Sequence, residues 1–395
     1  MLKHIKNISY LTLSQILISI SVFAINLIWA RGYSTEHYGI YKLLISTFSI
    51  FSVFALSGLN NTLIISSGKF KEKNFNKIFK LKLIIGIILS LIFFFFLKES
   101  NFFNDLSKLT IILLSILFPL YVNNNNWRYF FQGNSNFKDF FQNNFIESVS
   151  VLLIIFICFS FGFDYQLLIC FLIGSRVIVN NVFNLKLIFA NHRKPSDISL
   201  IKKGYNYTPG FIIGSLLLFE NYIIQFNLST EYVAKFSIMV LFPLQIKTIY
   251  ELSNKLLTKK ILTLKIFEFW NWYKKNFLAI LSIYLIIGIV GFFSMEYLIN
   301  FFFGSKYHEI AIGASKIFLI YSLNFPISYL NQSLNLNGFT KHHFYYQTST
   351  TILKLILLYT LTILFGLDGV VLVFLFATIF NWLFISISFK MNYLK

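Results

Sequence analysis

Two basic side chains, Arg176 and Lys354, fall near the middle of long apolar runs. An ionisable group at that depth costs ~2.5–3.5 kcal/mol on insertion scales, so it must face protein or water. A guanidinium offers a planar fork of donors that matches phosphate oxygens, and an ammonium adds a point charge. The pair suits an anion with a doubly charged head and an apolar tail, such as a lipid-linked pyrophosphate. Lys42 lies about one turn inside its run, and Arg31 stands at the end of the run before it. Both extend the basic set toward one membrane face. Glu220 is the lone interior acid of the second half of the chain. It is read first as a structural partner of Arg176 or Lys354, and second as a group that binds a coupling proton or sodium ion. Acids in the runs are too few to pair all the bases, which leaves Arg176 and Lys354 for an anion. Lys235 and Lys316 lie near run ends, where long cationic chains reach the headgroups cheaply.

Other chemistries find little support. His4, His37, His192, His308, His342 and His343 map to termini and loops, so they form no proton relay or ligand cluster. Cys158 and Cys170 sit in apolar runs and suggest neither a disulfide framework nor a metal site. Glu147, at the start of a run, reads as a solvated or interfacial charge. No cofactor is expected, apart from a coupling proton or sodium ion.

The elements that must position these residues are membrane helices. Of 395 residues, 56% are hydrophobic and 12% charged, against about 25% charged in soluble domains. About 20 apolar residues cross the hydrocarbon. Twelve such runs are expected, at 8–30, 38–58, 79–97, 106–123, 145–163, 165–187, 207–228, 232–252, 277–300, 310–331, 344–365 and 367–389. They are continuously apolar without alternation, which favours helices over a barrel. The fold class is all-α, a polytopic membrane protein. The N-terminal run ends in Trp29-Ala30-Arg31 without a small-residue cleavage site, so it reads as a first span.

The net charge of +19 is not a nucleic-acid signature, because the cations concentrate in alternate loops. One set of connections carries Lys3, Lys6, Lys69, Lys71, Lys73, Lys77, Lys80 and Lys82, then Arg128, Lys138, Lys186, Arg193, Lys194, Lys202 and Lys203. The other set holds Arg31, Lys98, Lys108 and Lys306 beside Asp105, Asp164, Glu231, Glu309 and Asp368. The positive-inside rule then places both termini in the cytoplasm. Residues 255–275 mix lysines with Trp270 and Trp272 and read as an interfacial helix or a helix extension on the cytoplasmic face.

The chain repeats itself. Ser34-Thr35-Glu36 followed by Tyr38-Gly39-x-Tyr41 matches Ser229-Thr230-Glu231 followed by Val233-Ala234-x-Phe236. "FGFD" from Phe161 matches "FGLD" from Phe365, "QGNSNFK" from Gln132 matches "NGFTK" from Asn337, and Pro119 matches Pro326. Two six-helix halves, 1–195 and 196–395, share one orientation because six is even. Their expected axis runs along the membrane normal, with a central cavity between them.

Several motifs resemble the polysaccharide-unit flippases of the O-antigen (Wzx) type, in the multidrug/oligosaccharidyl-lipid/polysaccharide superfamily. They are "WARGYSTEHYGIYKLLIS" from Trp29, "ENYIIQFNLSTEYVAKFSIM" from Glu220, "FFFGSKYHEIA" from Phe301, "LNGFTKHHFYYQ" from Leu336 and "FGLDGV" from Phe365. Ala234 replaces the usual Gly, and the first motif lacks the common Leu-Gly-Pro. The resemblance implies a two-lobe fold and a cationic cavity in the bacterial inner membrane. It implies alternating-access export of undecaprenyl-pyrophosphate-linked oligosaccharides for O-antigen or capsule assembly. Implied partners are that substrate, membrane lipid and polysaccharide assembly proteins, and Arg31 occupies the motif's arginine position. A multidrug exporter of the superfamily is the first alternative, though its cargo would favour acidic lining. A membrane glycan polymerase or acyltransferase is the second, but the outer loops carry no catalytic constellation.

Overall fold

A computed structural model describes residues 2–69, 74–190, 198–205, 208–248, 250, 264, 266–336 and 340–393. Lys71, Lys73, Arg193, Lys194, residues 255–263 and 265, Asn337 of the "NGFTK" match and the 195/196 boundary lie outside the described residues. The described residues form helices, short 3₁₀ segments and turns, with no strand among them. They fall into two compact units: Met1–Tyr33 with Leu43–Ser215, and Ser34–Lys42 with Leu216–Lys395.

The helices of the first unit are α1 (Leu2–Gly32), α2 (Thr35–Phe54), α3 (Leu59–Lys69), α4 (Phe75–Glu99), α5 (Lys108–Tyr121) and α6 (Asn126–Gly133). They continue with α7 (Phe137–Ser160), α8 (Tyr165–Ala190), α9 (Ile198–Tyr205) and α10 (Thr208–Ser215). The first turns of α2 count with the second unit. That unit adds α11 (Glu220–Asn227), α12 (Thr230–Met239), α13 (Ile266–Phe303), α14 (Ala311–Ser322), α15 (Phe325–Leu336), α16 (Thr340–Phe365) and α17 (Leu367–Tyr393).

Patterning is inverted relative to a water-soluble domain. On α4, Ile84, Ile87, Ile88, Leu91, Ile92 and Phe95 are exposed at helical spacing. Meanwhile Asn123, Asn126, Asn144, Asn180 and Asn184 are buried. Apolar surface outward and amide groups inward is what a lipid solvent selects.

Among the described residues, seven helices are long and apolar enough to cross a membrane, and a bent pair makes an eighth candidate. Of the five other expected runs, 38–58 is the continuous helix α2, and four are shortened or interrupted for local reasons. Run 106–123 stops at Tyr121, because Pro119 sits in its last turn and Asn123 to Asn126 follow. Short amide side chains compete with the helical backbone. Here Asn126 Nδ2 donates to Asn123 Oδ1 at 2.7 Å. Run 310–331 breaks at Leu323–Asn324 with a 42° bend. Pro326 opens the second piece, a place where its missing N–H costs nothing. Run 207–228 splits into α10, a 3₁₀ turn at Leu216–Phe219, and α11. Run 232–252 loses its helix at Met239, shortly before Pro243.

The matching "FG" turns share one backbone device. Gly162 and Gly366 end α7 and α16 at φ +67° and +59°. This left-handed helix stop is open to glycine with little strain. The matching "STE" turns differ. Ser34 Oγ caps α2 by accepting from His37 N at 3.1 Å, whereas Ser229 makes no side-chain cap.

Candidate functional site

The first unit contains a polar cavity of about 330 Å³. Ser49 and Ser52 come from α2, Asn60 from α3 and Lys82 from α4. Tyr121, Asn124, Asn125 and Arg128 come from the α5–α6 break, Glu147 from α7, and Arg176 and Asn180 from α8. A broken helix in lipid needs partners for its freed backbone groups. Two asparagines of α8 supply them, and a third anchors a side chain of the break. Asn184 takes Trp127 N at 3.1 Å and donates to Asn123 O at 2.8 Å. Asn181 donates to Leu120 O at 3.1 Å, and Asn180 accepts from the Trp127 indole at 2.7 Å.

This scaffold aims the charges. Arg128 pairs with Glu147 through Nη2, bonds Asn144 through Nε at 3.1 Å and Asn125 through Nη1 at 2.7 Å. Asn180 Nδ2 gives Glu147 a further bond at 3.1 Å. Lys82 Nζ donates to Asn60 Oδ1 at 2.8 Å and Asn126 Oδ1 at 3.0 Å. Arg176 precedes Asn180 by one turn on the same face and accepts Asn180 Nδ2 on its own carbonyl at 2.7 Å. Its guanidinium has no ion pair or side-chain hydrogen bond among the described residues. With Lys82 protonated, three cations face one carboxylate, a formal +2 in the lining.

Three sequence expectations are corrected here. Glu147 is not a solvated charge: it is 8% exposed and held by Arg128 and Asn180. Lys82 is not a loop cation: it lies within α4 at 3% exposure, bonded to two asparagines. A lysine at the edge of an apolar run reads as a flank, and only tertiary contacts reveal that it turns inward. His342 is likewise a helical residue, buried and 3.0 Å from Asn331 Oδ1.

The second unit has its own cavity of about 210 Å³, lined by residues including Tyr321, Asn324, Gln347, Thr350, Lys354, Phe374 and Asn381. Lys354 Nζ lies 2.7 Å from Glu220 Oε1 and 4.8 Å from the Phe374 ring centroid. Of the two partners open to Glu220, it is Lys354 that it holds. Arg31 is exposed at the end of α1. Lys42 is half-buried, with Nζ 5.3 Å from the Tyr38 ring and 6.0 Å from Tyr41. Lys235 is 7% exposed and bonds Glu231 at 2.8 Å and Glu309 at 2.5 Å. Lys316 is exposed.

Sequence reasoning missed Arg128, Glu147, Lys82 and the asparagine scaffold. The available signal was four consecutive asparagines from Asn123 and the Asn180, Asn181, Asn184 spacing inside an apolar run.

A family model described as polysaccharide biosynthesis protein matches residues 4–237. The chain belongs to that family. No curated protein matches the chain. Among solved structures, its fold is similar to lipid II flippase MurJ in an inward closed conformation. That match has TM-score 0.69 and 16% identity, over 96% of this chain and 87% of the other. It is also similar to an inward-facing multidrug resistance MATE family transporter of the MOP superfamily, at TM-score 0.68 and 13% identity over 94% of each chain. A third similar structure is a MOP superfamily transporter from Pyrococcus furiosus, at TM-score 0.64 and 12% identity over 98% and 95%. The chain thus shares the fold of these solved structures.

Proposed function

We propose that this protein is a flippase that carries undecaprenyl-pyrophosphate-linked oligosaccharide units outward across the bacterial inner membrane by alternating access. Its product would feed O-antigen or capsule assembly, together with the polysaccharide assembly proteins that use it. The observation that carries the reading is Arg176. It is a guanidinium with no counter-ion among the described residues, on the wall of a cavity whose formal charge is +2 when Lys82 is protonated. Leaving that charge uncompensated makes sense if a dianion completes the site. The Arg128–Glu147 pair is bonded to Asn125, Asn144 and Asn180 and holds the wall in place.

Lys354 enters this scheme differently from Arg176. Its charge is balanced by Glu220, so it would meet a pyrophosphate only after that pair opens. Protonation of Glu220, or a sodium ion bound there, would open it and give the transport cycle a coupling step. Arg31 and Lys42 would serve the outer end of the path. The lobes 1–195 and 196–395 would rock about a common axis along the membrane normal, with both termini cytoplasmic.

The test is reconstitution in liposomes with movement of a pyrophosphate-linked oligosaccharide lipid between leaflets as the readout. A charge-assisted hydrogen bond contributes ~1.5–3 kcal/mol. Arg176→Gln should therefore slow movement by roughly 10- to 100-fold at unchanged thermal stability. Equal rates for Arg176→Gln and the parent would remove Arg176 from the site. Uptake of an organic cation without lipid movement would replace the flippase reading with a drug exporter.

A further inference from the structure

We infer that the cavity of the second unit is a subsite for one uncharged sugar ring. The inference rests on the reading of the cargo as a glycan-bearing lipid and names the part of the cargo that this unit takes. The lining combines amides and a hydroxyl (Asn324, Gln347, Asn381, Thr350) with the aromatic rings Tyr321 and Phe374. Asn381 Nδ2 donates to Asn324 Oδ1 at 3.0 Å. Asn381 Oδ1 is buried and has no hydrogen-bond partner. The Thr350 hydroxyl gives its proton to Tyr346 O at 2.6 Å, which leaves its lone pairs to accept.

These groups select against the other parts of the cargo and against other cargoes. Buried acceptors call for a donor, which a phosphate oxygen lacks. Lys354, the cation on this wall, is neutralised by Glu220 and adds no net charge for an anion. An organic cation finds no carboxylate among the lining residues to balance it. An acyl chain would leave the amides unpaired, at the full desolvation penalty. A sugar hydroxyl both donates and accepts, and the C–H face of a pyranose presents positive edges to an aromatic ring face. A cavity of about 210 Å³ is on the scale of one ring rather than a chain.

The experiment is saturation-transfer difference NMR on the full-length protein in lipid nanodiscs. Free glucose, galactose, mannose, rhamnose and N-acetylglucosamine serve as probes. At least one should show transfer above empty nanodiscs, reduced fivefold or more by Asn381→Leu and by Gln347→Ala, and unchanged by Arg176→Gln. Thermal midpoints of the variants check that they fold, and the two independent substitutions guard against one that does not. No transfer from any sugar would overturn the inference. So would transfer that survives both substitutions in folded protein, or transfer from methyltriphenylphosphonium alone. Failure here with leaflet movement still dependent on Arg176 would sink the subsite alone. Sugar transfer with movement indifferent to Arg176 would sink the anion site alone.

Discussion

At the residue scale, the difference between Arg176 and Lys354 is one of compensation. Both were legible as mid-membrane cations, because a basic letter inside an apolar run is conspicuous. What could not be read was which one had a partner, since Glu220 is 134 positions from Lys354 and 44 from Arg176. The structure gives it to Lys354. Removing one member of that pair should therefore do more harm than removing both. Each side chain keeps about a fifth of its exposure (22% and 17%), so the effect sits below the ~3–5 kcal/mol of a fully buried pair. Glu220→Gln should destabilise by about 1–2 kcal/mol, and adding Lys354→Met should restore most of it. The check is thermal unfolding in detergent of the two singles and the double. A double as unstable as the worse single would show that the pair is not coupled. Gly39 is a second residue-scale case. A Cβ there would come within 2.0 Å of the Thr230 carbonyl oxygen, in the same unit. Gly39→Ala should cut the yield of folded protein severely, while Ala234→Gly at the matching position should be mild. Size-exclusion profiles of the two variants decide it.

At the element scale, interruptions are what the apolar runs concealed. Run 106–123 reads as one full span although its helix covers only Lys108–Tyr121, and run 310–331 reads as one although the backbone bends between Ser322 and Phe325. The punctuation was visible as prolines and clustered asparagines. Its meaning depends on whether a neighbour satisfies the freed groups, and that is tertiary information. For the α5–α6 break the neighbour is α8. Asn184→Leu removes the partner of Trp127 N and the donor to Asn123 O. Each unsatisfied buried group costs ~1–3 kcal/mol, so the substitution should destabilise by about 2–4 kcal/mol. The Trp127 fluorescence should also shift as the indole leaves its place. A leucine variant with the parent's melting point would mean that the break satisfies itself.

At the scale of the whole molecule, the class was legible from composition and the order of apolar runs, and the transporter fold bears it out. Orientation rests on loop charge and is directly testable. In a Cys158→Ser, Cys170→Ser background, cysteines introduced at Asp164 and Lys306 should react with an impermeant thiol reagent added to intact cells. Cysteines at Lys3 and Lys390 should react only after lysis. The opposite pattern would invert the map. The asparagine scaffold also has a consequence for how the chain is made. Asn184 lies 61 positions after Asn123, the carbonyl it satisfies. At ~5–20 residues per second, a ribosome needs roughly 3–12 seconds to deliver it. Through that interval the interrupted segment has entered the membrane region without its partners. It must wait in the insertion machinery rather than in open lipid, and α5 to α8 should leave for the bilayer together. A nascent chain stalled between Gly133 and Asn180 should therefore remain crosslinkable to the insertion site, and one stalled well past Ala190 should not.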